Sequence, residues 1–179
     1  MTRALLIKLH LYFSAFFSAT IILVALSGGL YLMGIKGTVE QTAAGTVTGG
    51  QALLRNPSES TVRDILADLG VTNFEFEYVK QAGPNVMTRP TSRPYYTFAV
   101  SGDSVEVTLN QPSLQKRLIE LHKGHGPTAF KTFQKIFAAG MVFIMLSGLW
   151  LGLSSERLRQ TTLITTGSGL ALFLALVLI

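Results

Sequence analysis

The chain has 179 residues, 48% of them hydrophobic and 14% charged; an ordinary soluble domain carries roughly 25% charged residues, so much of this surface does not face water. It contains no cysteine, which excludes a disulfide framework, a thiolate metal site, an iron–sulfur cluster and covalent haem attachment. The net charge of +5 is not a nucleic-acid signal, because the excess cations flank apolar runs and no basic face marks the polar part of the chain.

In chain order, the first apolar run covers residues 11–33 and contains no charge, with Arg3 and Lys8 before it. It is long enough to span a bilayer, which takes about 20 apolar residues. A signal-peptide core is shorter, about 7–15 residues, and this run continues past the small residues Ala25-Leu26-Ser27-Gly28. An uncleaved helix is therefore expected. Residues 34–50 are rich in Gly and Thr and read as a connection. Asn56-Pro57-Ser58-Glu59 reads as a helix start, with Asn as cap, Pro first and Glu third. Val62, Ile65, Leu66 and Leu69 then form one apolar stripe, and Gly70 closes the helix.

Residues 73–79 alternate aromatic and polar, as a strand with its aromatics facing a core does. Glu75 and Glu77 then lie on the solvent face. Residues 81–85 read as a turn. The pairs Arg89-Pro90 and Arg93-Pro94 favour an extended loop, basic enough to meet an anionic ligand or lipid headgroup through Arg89 and Arg93. Residues 95–100 and 104–109 form a hairpin about Ser101-Gly102-Asp103. Asn110 and Pro112 open a helix carrying Leu114, Leu118 and Leu121, which Gly124, Gly126 and Pro127 end. One helix on a three-stranded sheet with a trailing helix is a small α+β module.

A second apolar run covers residues 136–153, between Lys131 and Lys135 and the polar Ser154-Ser155-Glu156-Arg157. A third begins near Thr161. The expected fold is thus α-helical in the membrane, with three transmembrane helices and an inserted α+β domain. Its divisions are 1–34 (cytoplasmic tail and first helix), 35–127 (extracytoplasmic domain) and 128–179 (second and third helices). Between Lys36 and Pro127 nine basic and nine acidic residues balance. The excess of five resides in Arg3, Lys8, Lys131, Lys135, Arg157 and Arg159 against the single acid Glu156, at span edges where cations meet lipid headgroups. Arg3 and Lys8, together with Arg157 and Arg159, place the N-terminus in the cytoplasm and residues 35–127 outside it. Lys131 and Lys135 point the other way, but flank a segment too long for the rule. The bilayer is the expected partner, and nucleic acid is not.

Leu26-Ser27-Gly28 in the first span is repeated as Leu146-Ser147-Gly148 in the second. Small residues in lipid let helices approach closely and serine can bond across, so Ser27, Gly28, Ser147 and Gly148 are expected to pack span one against span two. Lys8-Leu9-His10-Leu11 entering a helix that ends in Leu26-Ser27-Gly28 resembles the opening of PepSY-associated transmembrane proteins. The helix–strand–hairpin module resembles a PepSY domain, and Leu121-His122-Lys123-Gly124-His125 before a second Ser-Gly helix also fits that family. The resemblance implies a bacterial inner-membrane protein. Larger relatives are implicated in reducing siderophore iron and resemble haem-binding oxidoreductases, and PepSY modules elsewhere bind or restrain peptidases.

The three histidines, His10, His122 and His125, are the candidate cofactor ligands, since histidine is the usual axial ligand of haem b. About 30 Å of hydrocarbon separates His10 from the other two, so His10 cannot share a haem with them. Gly124 interrupts the helix between His122 and His125, and neighbours on one segment do not easily reach opposite porphyrin faces. Haem would then need a homodimer or a protein partner. The alternatives are interfacial histidines beside Lys8 and Lys123, or a mononuclear metal site at His122 and His125 with Glu120 nearby. No nucleophile constellation, phosphate loop or zinc motif is present. The leading expectation is an accessory or binding membrane protein linked to iron uptake. The alternatives are a haem-binding electron-transfer subunit for ferric iron or ferric siderophore, and a peptidase regulator.

Overall fold

Among the described residues, three helices are long and apolar enough to cross a bilayer: α1 (Arg3–Leu32), α5 (Thr128–Leu153) and α6 (Glu156–Leu178). The computed structural model describes residues 2–179. The order helix, sheet domain, two helices agrees with the expected architecture, and the chain is a membrane protein by these apolar helices. At 1.5 Å per residue, the 30 residues of α1 rise about 45 Å. That exceeds the roughly 30 Å hydrocarbon layer, so turns are left over for the headgroups. The spans are apolar on all sides, as lipid-facing helices are, and α6 buries no residue.

Contacts divide the chain into two units: residues up to Ile21 with Lys135–Ile179, and Ile22–Gln134. In the first, an aromatic ladder joins α1 to α5. Phe13 lies 4.8 Å from Phe143 and Phe17 5.5 Å from Phe137, between ring centroids. Phe17 is 2% exposed and covers Gly140, where a Cβ would overlap its ring. Lipid offers apolar surface as readily as a neighbouring helix does, so close van der Waals fit of this kind must hold spans together. Gly152 of α5 leaves similar room for Thr162 of α6.

The second unit contains β1 (Val39–Thr48), α2 (Gly50–Arg55), α3 (Glu59–Asp68), β2 (Tyr78–Ala82), β3 (Asn85–Arg89), β4 (Tyr95–Ser101), β5 (Ser104–Pro112) and α4 (Leu114–His122). The sheet is antiparallel with order β1-β5-β4-β3-β2. Val62, Ile65 and Leu66 of α3 and Leu53 of α2 pack on Val86, Tyr96, Phe98, Val105 and Val107. These strand residues alternate in sequence, so one face of the sheet supplies them.

The sheet has five strands where three were expected. The Gly- and Thr-rich connection is the edge strand β1, held to β5 by its backbone ladder and by Gln41, whose amide donates to buried Asn110. Gly45, at φ +144°, sits at a bulge where a Cβ would strike Leu69. The aromatic alternation at 73–77 is not a strand. Tyr78 pairs with Arg89, and the next partner would be Pro90, which has no N–H to donate. Phe74 nonetheless reaches the core, edge-on to Tyr96 at 4.7 Å. Helix α3 is capped by Ser58, whose hydroxyl accepts from the Thr61 N–H, and not by Asn56.

Phe98 is fully buried. Replacing it with alanine should cost about 3–5 kcal/mol, while Leu114→Ala, at a site 74% exposed, should stay within about 0.5 kcal/mol. Sheet circular dichroism during denaturation in detergent reads both, and equal losses would contradict this core.

Candidate functional site

Two histidines sit in matching surroundings. His10 of α1 places Nδ1 2.8 Å from the Oγ of Ser147 on α5. A Cβ on the adjoining Gly148 would stand 3.1 Å from the ring's Cε1. His122, the last residue of α4, places Nδ1 3.0 Å from the Oγ of Ser27 on α1, and a Cβ on Gly28 would stand 3.0 Å from its Cε1. Each Ser-Gly pair is a notch: glycine leaves room for the flat ring, and serine meets its nitrogen. Both serines are 4% exposed, whereas His10 is half-buried and His122 exposed.

The serines also decide where the imidazole protons lie. Ser27 Oγ is 3.1 Å from the Val24 carbonyl oxygen, and Ser147 Oγ is 3.1 Å from that of Ile144. A hydroxyl has one proton. Both contacts of each serine are bonds at once only if the hydroxyl donates to the carbonyl and accepts from the ring. Nδ1 is then the protonated nitrogen, and in a neutral imidazole Nε2 keeps its lone pair. Neither Nε2 has a hydrogen-bond partner among the described residues. A cleft of about 540 Å³ opens at Ser147, lined also by Arg3, Leu6, Phe143 and Trp150. One of about 180 Å³ opens at His122, with Ser27, Tyr31, Ile119 and Lys123.

The repeated Leu-Ser-Gly pattern was expected to bring spans one and two together. Ser147 and Gly148 do meet span one, through the His10 ring. Ser27 and Gly28 meet α4, through His122. In both notches the nearest atoms to the glycine belong to an imidazole and not to a helix backbone.

His125 stands apart from this pair. Its Nδ1 donates to the Oε2 of Glu120 at 2.7 Å. The Thr91 hydroxyl donates to the same oxygen at 2.8 Å, and Arg89 donates to Thr91. Lys116 and Lys123 lie 3.2 and 3.6 Å from the other oxygen. Burial pushes the Glu120 carboxyl up, but the bonds from His125, Thr91 and Lys116 and the charge of Lys123 outweigh it and hold the group at about 2. A mononuclear site of His122, His125 and Glu120 is not assembled: His125 and Glu120 bond each other while His122 bonds Ser27. Among the described residues no three His, Asp or Glu side chains cluster as metal ligands.

The two arginines of the expected basic loop divide. Arg89 ends β3 and is only 6% exposed, with its Nε unpaired, so it is not a solvated anion contact. Arg93 is exposed, and its charge acts on Glu77. Glu77 is not merely a solvent-facing residue. Its Oε2 accepts from the backbone N–H and the hydroxyl of Thr128, both at 2.7 Å. A carboxylate there satisfies an orphan amide of the first turn of α5 and complements the helix dipole. These Thr128 bonds hold Glu77 below the usual carboxylate range. Beside it, Lys131 donates to the Tyr78 hydroxyl and lies 4.5 Å from the ring centroid.

Comparison with protein-family models, curated proteins and solved structures finds no match for this chain.

Glu120 binds its proton more weakly in the folded protein than at its ordinary value of 4.5. Its stabilisation is therefore complete above about pH 4.5 and is lost as pH falls towards about 2. Denaturation midpoints measured from pH 6 to 2 should fall less steeply in Glu120→Gln than in the parent. Identical acid limbs would show that the carboxylate network contributes nothing; the shallower remaining slope belongs to groups such as Glu77.

Proposed function

We propose that this chain is a haem b-carrying protein of the bacterial inner membrane, akin to the PepSY-associated transmembrane family, serving one-electron transfer to ferric iron or a ferric siderophore. The observation behind this reading is the twin His-Ser-Gly arrangement. A metal-ligating histidine characteristically donates one ring N–H to an outer partner, which fixes the tautomer and ring orientation and leaves the other nitrogen for the metal. His10 and His122 both satisfy that condition.

The donor set fits haem b and limits how it is held. A single chain offers one such imidazole at each notch. On α1, His10 and Ser27 are seventeen residues apart, about 25 Å of helix rise, so the two rings cannot share one porphyrin. A second copy of the chain would complete each ligand pair by symmetry. His122 shares its cleft with Tyr31, Ile119 and Lys123, whereas the His125 ring is bonded to Glu120. Haem would supply reversible one-electron chemistry. The protein's own residues orient the ligands through Ser27 and Ser147 and leave room for them at Gly28 and Gly148. Flanking cations favour a cytoplasmic N-terminus with residues 35–127 outside.

Protein expressed with a haem precursor and purified in detergent should show a Soret band that shifts on reduction. His10→Ala and His122→Ala should each remove about half of it, and the double variant all of it. A chain that stays colourless after haem supplementation would overturn this reading in favour of an accessory binding role, in which the α+β domain recognises a protein partner or restrains a peptidase.

A further inference from the structure

The chain around His122 closes in an unusual way. Helix α4 ends with Lys123 as its C-cap and Gly124 at φ +76°. The His125 N–H donates to the Glu120 carbonyl at 2.9 Å, and the Gly124 N–H to that of Leu121 at 3.0 Å. These two bonds are the Schellman motif. In that motif the residue two beyond the cap commonly packs on the residue three before it through a hydrophobic contact. Here those positions are His125 and Glu120, and a 2.7 Å hydrogen bond replaces the hydrophobic contact. His122 lies between them, as the last helical residue.

Glu120 is 6% exposed, and its partners come from both sides of His122 in the sequence. Lys116 precedes it; Lys123 and His125 follow. Thr91, backed by buried Arg89, ties the same carboxylate to the loop after β3. A buried carboxylate that lost these partners would bear a large desolvation penalty, so the turn holds its shape. The Gln134 amide also donates to the Leu121 carbonyl at 2.8 Å, steadying the residue before His122.

We infer that Glu120 and His125 are positioning residues for His122, forming a bracket across the end of α4 that holds its imidazole on the Ser27-Gly28 notch. The geometry stands on its own; its consequence for ligand binding rests on the haem reading above. His125 is then part of the bracket and not itself a ligand.

The experiment uses the full chain, labelled with ¹⁵N-histidine and free of haem, in detergent. His122 and His10 should both show a protonated Nδ1 and an unprotonated Nε2. In His125→Ala, the His122 resonances should move towards the tautomer mixture of a free imidazole, while those of His10 stay. Glu120→Gln should do the same. His125→Asn, which keeps a donor near the Nδ1 position, should recover much of the parent spectrum. Unchanged His122 resonances in both disrupting variants would overturn the proposal, and so would equal shifts at His10. On haem addition, His125→Ala should weaken loading at His122 by about tenfold, because a ring released from the notch loses Ser27, its outer partner. Loss as complete as in His122→Ala, with His122 resonances intact, would make His125 the ligand and overturn the bracket. If even His122→Ala leaves haem content unchanged, the haem reading fails there, and the resonance shifts still decide the bracket.

Discussion

A polar ring set against an apolar helix must give its N–H a partner, and a membrane helix has little to offer. Its backbone groups are already bonded along the helix, and lipid supplies none. Serine followed by glycine answers this constraint at two places. The serine hydroxyl spends its proton on a carbonyl of its own helix and turns a lone pair outward, and the glycine lets the ring come close enough to use it. The orientation of His10 and His122, the state of their nitrogens, and the availability of each Nε2 all follow from that local geometry.

The sheet domain does more than join α1 to α5 in sequence. Glu77 and Tyr78 precede and open β2, and both bond to the first turn of α5, through Thr128 and Lys131. Glu120, His125 and Thr91 bind the end of α4 to the loop after β3. A small sheet with a one-sided core is thereby connected to α5 and to the His122 turn by short, charge-assisted bonds, which are stronger than neutral ones. Burial of Arg89 belongs to the same economy: its guanidinium supports Thr91, which supports the carboxylate.

The parts legible in the sequence were those with a local physical signature. Uninterrupted apolar runs announce spans because lipid tolerates no charge, and α1, α5 and α6 stand where those runs lie. The α3 stripe and the hairpin of β4 and β5 follow from periods of 3.6 and 2, and Gly102 and Gly70 mark their turns. Edge strand β1 was not legible, since Thr, Ala and Gly in a row carry no alternation and the strand exists only because β5 offers it a ladder. The opposite error arose at residues 73–77, where the alternation runs on but the ladder stops at Tyr78 and Arg89, with one further bond from the Glu77 N–H to the Arg89 carbonyl, because Pro90 follows. Among site residues, Glu120 was noticed only as an acid near His122 and His125, and Arg89 was read as an anion contact on an extended loop from its Arg-Pro context alone.

What the sequence by itself determined is therefore the medium and the order of parts: three apolar helices, one neutral domain between the first and second, histidines confined to the flanks, and a repeated Leu-Ser-Gly. Only tertiary structure decided what that repeat is for. Ser27 and His122 are separated by 95 residues, and Ser147 and His10 by 137, so no local pattern could pair them. Hydrogen bonding is short-ranged and directional, and the partner of a buried hydroxyl is known only once the chain has brought it within about 3 Å.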